Sequence, residues 1–522
     1  MLQIKNVSFI HKKDLRTLVG DFSFTLNPGD KAVIIGEEGN GKSTLLKWMY
    51  SPKLVEDYVE AQGERILGDE VLAYLPQELP QDYKECTVYN YFLQADSFYD
   101  LSYDDMRQMA AQVGYPPDIF YSEQKMGTLS GGEKIKIQML RLLMAQPTVL
   151  LLDEPSNDMD IPALEWLEEL IRRWEGIVLF ISHDEVLIES TANAIIHMEQ
   201  LYSKTESRCG VFRMPYGEYM ERRTQSFIRQ EQQAVWERRE KRIRDEKFRR
   251  IEQSVEHAQA TISRGDPHGA RLLKKKMHAV KSMERRFAKE DAEMTKMPVM
   301  ESAISIKLNP NVTAIPAGKT VLDFGLTTLM TPGNQRILSG NIRLVLRGSE
   351  KICIVGANGA GKTTLLRKIS EALLARRDIQ AGYMPQNYEE ELDLSMTPVD
   401  FLNKTGSREE CTMIRTLLGT LRYTAVEMDH AISDLSGGQK AKILLLQMIL
   451  RGDNVLILDE PTRNFSPLSG GTIRDLLRRF PGAIISISHD RKYISEVCDT
   501  VYRLTESGLH KLSDPGERIV SK

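Results

Sequence analysis

The chain opens on an alternating stretch, residues 1–10 (MLQIKNVSFI), which reads as a half-buried strand and carries no signal-peptide pattern. Further along, short unbroken apolar runs end abruptly in glycine loops or acidic turns, at 31–35, 149–152, 177–181, 351–355, 455–458 and 484–487. Runs of this kind predict strands buried on both faces of a sheet, with helices between them. From about residue 216 to 300 the pattern changes. Phe248, Ile251, Val255, Ala258 and Ile262 recur at spacings of three and four, the seam of a coiled coil. After the turn signal RGDPHG at 264–269, Leu273, Met277, Val280 and Phe287 continue a similar stripe. The expectation is two long antiparallel helices with a tip near 264–270, the first of about 45 residues and roughly 65 Å long. No apolar run approaches the about 20 residues that span a bilayer.

The pattern occurs twice. KAVIIGEEGNGKST at 31–44 returns as KICIVGANGAGKTT at 351–364, and YLPQ at 74–77 as YMPQ at 383–386. LSGGEK at 129–134 returns as LSGGQK at 435–440, VLLLDEP at 149–155 as VLILDEP at 455–461, and ISHD at 181–184 as ISHD at 487–490. The order is the same in both halves, so the chain is a duplication. It divides into an α/β unit at 1–215, a helical linker at 216–300 and a second α/β unit at 301–522. A length of 522 residues leaves ample material for separate cores.

Composition adds little beyond this. Hydrophobic residues make up 41% and charged residues 27%, ordinary for a soluble globular protein, and a net charge of −4 names no partner. Five scattered cysteines without a CxxC pair argue against a disulfide framework or a zinc site and point to the reducing cytoplasm. The distribution of charge is more informative. Residues 218–296 hold 21 basic against 14 acidic side chains. Around the tip, Arg264, Arg271, Lys274, Lys275, Lys276 and Lys281 face the single acid Asp266. A basic run on an extended helical tip suits RNA phosphate, although a solvated helix face would look the same.

The repeated motifs carry the chemistry of ATP and Mg2+. Gly36, Gly39 and Gly41, and Gly356, Gly359 and Gly361, let the backbone turn so that its N–H groups face phosphate at a helix N-terminus. Lys42 and Lys362 are expected at the β- and γ-phosphates, with Thr44 and Thr364 beside them, and Ser43 and Thr363 on Mg2+. Asp153 and Asp459 would hold the metal through water, while Glu154 and Glu460 polarise the attacking water. Gln77 and Gln386 are suited to sense metal and water. His183 and His489 end apolar strands, where a lone histidine is most often structural. Beside the other motifs, each reads as a γ-phosphate contact. Ser130, Gly131 and Gly132, with Ser436, Gly437 and Gly438, open a second helix in each half and offer another anion-binding end. The glycine loop already occupies its own nucleotide's near side. Two ATP molecules would therefore lie between halves packed head to tail, one gripped by Lys42 and Ser436, the other by Lys362 and Ser130. That arrangement is a monomer with intramolecular pairing.

The order glycine loop, Gln, LSGG, Asp-Glu-Pro, His resembles the ATP-binding-cassette (ABC) superfamily over both halves. Two cassettes separated by a charged helical hairpin resemble its F subfamily, ABC-F. YGEYMER at 216–222 and KMHAVKSMER at 276–285 are similar to that subfamily's linker. The resemblance implies an ATPase that binds the ribosome, with its rRNA and tRNA, at the tRNA exit site in a closed, ATP-bound form. Its hairpin tip would point toward the peptidyl-transferase centre. Only residues 50–75 separate the first glycine-loop helix from YLPQ, so the small arm of many relatives is absent. No long basic tail follows the second cassette. The combination resembles bacterial members that protect ribosomes from antibiotics, with a housekeeping or stall-relief translation factor as the alternative. A transporter ATPase subunit fits the basic hairpin poorly. Chromosome and DNA-repair ATPases place their coil inside a single cassette. Two departures stand out. After Asp-Glu-Pro the family pattern Thr-Asn-His-Leu-Asp is SNDMD at 156–160, keeping Asp160, but TRNFS at 462–466, where Ser466 replaces the acid. Candidates for the adenine-stacking aromatic are Phe9 or His11 in the first half and, more weakly, Phe324 in the second.

Overall fold

A computed structural model describes residues 1–13, 15–201, 206–261, 267–292, 294–295, 314–331, 336–421 and 423–512. Two compact units emerge, one formed by the described residues of 1–216 and 301–522, the other by those of 217–300.

The first unit contains both α/β halves. In the first half, six strands lie in the spatial order Leu72–Leu75, Val149–Asp153, Ile177–Ile181, Lys31–Ile35, Ala194–Leu201, Glu206–Phe212. All neighbours run parallel except the last pair. The second half repeats this order with Ala381–Met384, Val455–Asp459, Ala483–Ile487, Lys351–Val355, Thr500–Thr505 and Gly508–Lys511. Every residue of Val149–Asp153, Ile177–Ile181, Val455–Asp459 and Ala483–Ile487 is buried, as the unbroken apolar runs predict. The carboxylates of Asp153 and Asp459 thus stand at the C-terminal edge of a parallel sheet, where loops gather and ligands bind.

A smaller antiparallel sheet accompanies each half. In the first it has three strands, with Leu2–His11 between Thr17–Leu26 and Val59–Ile66. The opening strand alternates as expected, but its phase slips at Asn6, a left-handed residue (φ 48°) at a break in register. Leu2 and Ile4 are buried before the slip, Val7 and Phe9 after it. The 50–75 stretch is used up by one short turn and the strands Val59–Ile66 and Leu72–Leu75. In the second half, two strands, Thr320–Met330 and Ile337–Arg347, pair alone among the described residues.

The second unit is a pair of helices, Tyr216–Thr261 and Pro267–Ala292. Their contacts run antiparallel. Glu237 accepts from the Thr295 amide (2.6 Å), Arg244 reaches Glu290 (2.9 Å), and Phe248 meets Phe287 edge-to-face at 5.6 Å. Arg244 also lies over the Phe287 ring, at 4.5 Å. Val255 and Val280 are buried, but Ile251, expected in the seam, is 45% exposed. A single partner helix covers only a narrow strip, and position 251 falls outside it. Ile262 and the tip residues 262–266, with Arg264, lie outside the described residues.

Candidate active site

Each glycine loop leads from a buried strand into a helix whose N-cap glycine is left-handed, Gly41 at φ 87° and Gly361 at φ 92°. A side chain at Gly361 would also press on Leu338 and Leu329. The lysines fold back over their own loops. Lys42 Nζ donates to the carbonyls of Gly36 (2.8 Å) and Glu37 (2.9 Å), and Lys362 Nζ to those of Gly356 (2.8 Å) and Ala357 (2.9 Å). Behind each lysine, the helix hydroxyl meets the strand carboxylate. Ser43 donates to Asp153 at 2.9 Å, and Thr363 bonds Asp459. Burial raises the pKa of both aspartates, and one oxygen of Asp459 has no hydrogen-bond partner among the described residues. A hydroxyl beside a buried, under-satisfied carboxylate is a donor set that fits Mg2+. Among the described residues no cluster of three or more acidic, His or Cys side chains forms a dedicated metal cage.

Glu154 and Glu460 follow these aspartates with φ of 49° and 51°, the left-handed region that glutamate seldom adopts. Such a conformation costs about 1 kcal/mol or more and persists where the surroundings impose it, often at functional sites. Around Glu154 three side chains converge. Gln77 Nε2 donates at 3.1 Å, Asn157 Nδ2 at 2.6 Å, and His183 Nε2 stands 3.1 Å from the other oxygen. The remaining nitrogen of His183 is 2.9 Å from the Phe465 carbonyl of the other half. Both ring nitrogens of His183 thus face oxygen acceptors. Its burial opposes the charge, but Glu154 outweighs burial and raises the pKa. Burial pushes Glu154 up, and His183, Asn157 and Lys42 together bring it down to about 2.

The second centre differs. Glu460 accepts from the His489 amide (3.2 Å) and from Ser488 (3.3 Å), while the His489 ring stays 3.9 Å away. Burial, with Asp459 beside it, lifts Glu460 to about 8, and burial with Lys362 lowers His489 to about 3. Glu154 is drawn down where Glu460 is lifted, and the two histidines shift in opposite directions. Where Asn157 holds Glu154 in the first half, the second has Arg463 at the same motif position. Arg463 reaches across the halves to Asp158 at 2.9 Å instead of holding its own glutamate.

The two halves meet head to tail. Ser130 and Ser436 each cap a helix, Gly131–Leu143 and Gly437–Arg451, through reciprocal bonds with Glu133 and Gln439. The Gly438 amide at the second cap donates to Glu38 of the first glycine loop at 3.1 Å. Gly131 lines a cleft of about 520 Å³ with Lys362, Thr363, Thr364, Gln386, Asp459, Glu460 and His489. Another cleft, of about 500 Å³, joins Gln77 and Asn157 to Gly437 and Asn464.

Several site residues escaped the sequence reading. Glu37 accepts from Ser466 (2.5 Å) and Ser469 (2.9 Å) of the opposite half. Ser466 replaces the expected acid, and Glu37 supplies a carboxylate from the facing loop. At the other junction the acid stays on the partner side, as Asp160, and the loop has Ala357. Tyr74 donates to Asp153 at 3.2 Å. Arg16 donates to the Gly39 carbonyl at 3.1 Å, and Arg336 lines a cleft with Gly356–Ala360. The two arginines share one position relative to their glycine loops, the signal that could have found them. Conversely, Phe9 cannot stack on adenine. It is fully buried, edge-on to Trp48 at 5.6 Å, because the shifted strand phase turns it into the core. Phe324 likewise packs against the second core. Arg271, Lys274, Lys275, Lys276 and Lys281 are exposed along the second linker helix.

Two phosphate-type loops, each facing the other half's Ser-Gly-Gly helix, define a twin-cassette nucleotide-binding protein. Residues 19–157 and 339–463 match the family described as ABC transporter, and the chain belongs to that family. It is an ATPase. It is 28% identical to the Bacillus subtilis ribosome protection protein VmlR, over 99% of this chain and 89% of that one. It is 26% identical to the Arabidopsis thaliana ABC transporter F family member 5, over 77% of this chain but only 55% of the plant protein. The expected kinship with the F subfamily is borne out. The fold also matches the archaeal ribosome recycling factor aABCE1, solved with the stalk protein aP1. The TM-score is 0.57 at 16% identity, covering 97% of this chain and 90% of that one. No helix among the described residues is long and apolar enough to cross a membrane.

Proposed function

We propose that the chain is a ribosome-acting ATPase whose halves close on two ATP molecules, one between Lys42 and Ser436, the other between Lys362 and Ser130. Mg2+, held by Ser43 with Asp153 and by Thr363 with Asp459, would neutralise charge on the transferring phosphate. Glu154 and Glu460 take the role of polarising water, and His183 and His489 that of contacting the γ-phosphate. ATP changes the shape only because it binds the closed form better than the open one. The closed form docks at the tRNA exit site, and the linker tip acts on the peptidyl-transferase region through basic side chains such as Lys274, Lys275 and Lys276.

The observation that carries the ribosomal reading is the likeness to a ribosome protection protein along nearly the whole chain, linker included. Protection against antibiotics is the finer reading. The double variant Glu154→Gln, Glu460→Gln is expected to co-sediment with ribosomes in ATP at physiological salt. Recovery only in the ribosome-free fraction defeats the ribosomal reading. Charge reversal of Lys274, Lys275 and Lys276 to Glu is expected to abolish drug tolerance in a sensitive host. Unchanged tolerance with intact protein present favours a housekeeping or stall-relief factor.

A further inference from the structure

The contact between halves contains a charge pattern that nucleotide chemistry does not require. Arg474 Nη1 pairs with Glu185 at 2.7 Å, and Arg491 pairs with Glu168. All four side chains are about nine-tenths buried. Counted from the Asp-Glu-Pro motifs, Glu168 and Arg474 occupy one position of the duplicated unit, and Glu185 and Arg491 another. The two ion pairs are therefore one contact made twice, related by the pseudo-two-fold axis between the halves. Its sign is reversed in bulk: both positions are acidic in the first half and basic in the second. Neighbouring contacts keep the same polarity. Arg491 also reaches Asp184 (3.2 Å), and Lys492 reaches Glu185 (3.0 Å).

We propose that these positions form a pairing code that selects the second cassette of the chain as partner for the first and rejects a like cassette from another copy. A two-fold interface between two first cassettes would bring Glu168 against Glu185 twice. One between two second cassettes would bring Arg474 against Arg491 twice. Both place buried like charges in contact, with Glu496 beside Arg474 the nearest counter-charge in the second case, and such contacts cost several-fold more than any surface pair returns. Only the unlike combination neutralises both contacts. Duplication made the two faces similar in shape, so rejection of the wrong combination needs a repulsive element of this type. The code acts on the pairing of halves and is independent of any ribosomal role.

The test is a sign exchange in the full chain, read as phosphate release. Glu168→Arg with Glu185→Arg makes all four positions basic, and Arg474→Glu with Arg491→Glu makes all four acidic. Each half exchange is expected to lower ATP turnover at least about tenfold. Combining them restores opposite signs at both pairs, while Asp184, Lys492 and Glu496 then meet a like charge at positions 491, 185 and 474, so turnover is expected to recover at least about threefold over either half exchange. Half exchanges that leave turnover within about twofold overturn the proposal. So does a fourfold exchange that recovers nothing, whether folded or not, because the code requires only that the signs be opposite.

Discussion

Replacing Glu154 and Glu460 together by glutamine is expected to lower ATP turnover by about 10²- to 10⁴-fold, the usual contribution of a positioned proton acceptor. Glutamine keeps the shape and can still take part in hydrogen bonds with Gln77, Asn157 and Ser488, so ATP binding should persist while phosphate release stops. The single variants should not be equivalent. Glu154 is held ionised by His183 and Asn157, whereas Glu460, buried beside Asp459, sits near pKa 8. Glu154→Gln is therefore expected to cost the larger share. The loss in the double variant need not be the product of the two single losses, since both sites lie in one contact between the halves. Steady-state phosphate release, with equilibrium binding of a fluorescent ATP analogue, separates the two effects. Turnover within about threefold of the parent would remove both glutamates from the chemistry.

A second large effect is expected from one methyl group. A Cβ at Gly131 would stand 2.0 Å from the carbonyl oxygen of Asp158, so Gly131→Ala must displace that backbone. The same carbonyl accepts from Asn358 of the opposite glycine loop at 2.6 Å, and the Asp158 carboxylate holds Arg463. The displacement reaches the second glycine loop directly. Misplacement of about 1 Å at a reacting centre costs about a hundredfold in rate, and a loss of that order is expected in phosphate release. Gly217→Ala is the control, because a Cβ there meets nothing within 4 Å. Equal turnover in both variants would show that the contact does not couple the halves.

The duplication, the buried parallel strands and the paired glycine loops were legible because each depends on residues close together in sequence. Apolar runs at 149–152 and 455–458 fix strands wherever they lie, and a glycine loop needs only its own neighbours. What escaped depends on residues far apart. Glu37 meets Ser466 only after both halves have folded and met, so the missing acid at position 466 reads from sequence only as a departure from the family pattern. The sign reversal between Glu168 and Arg474 was equally hidden, since each alone reads as a charged helix surface. Phe9 was misjudged for a different reason. An aromatic in an alternating strand looks the same facing a core or a ligand, and the slip at Asn6 decided between them. Ile251 fits a helical stripe by spacing, but the width of the covered strip depends on the partner helix.

Nucleotide gripped from both halves at once is the central requirement of such a machine. Cryo-electron microscopy of ribosomes recovered with the Glu154→Gln, Glu460→Gln variant in ATP measures this. The expected density holds two nucleotides, one touching Lys42 and the Ser436 helix, the other touching Lys362 and the Ser130 helix, with the helical tip directed toward the catalytic centre of the large subunit. Nucleotides held by one cassette alone, with the halves apart, would contradict it.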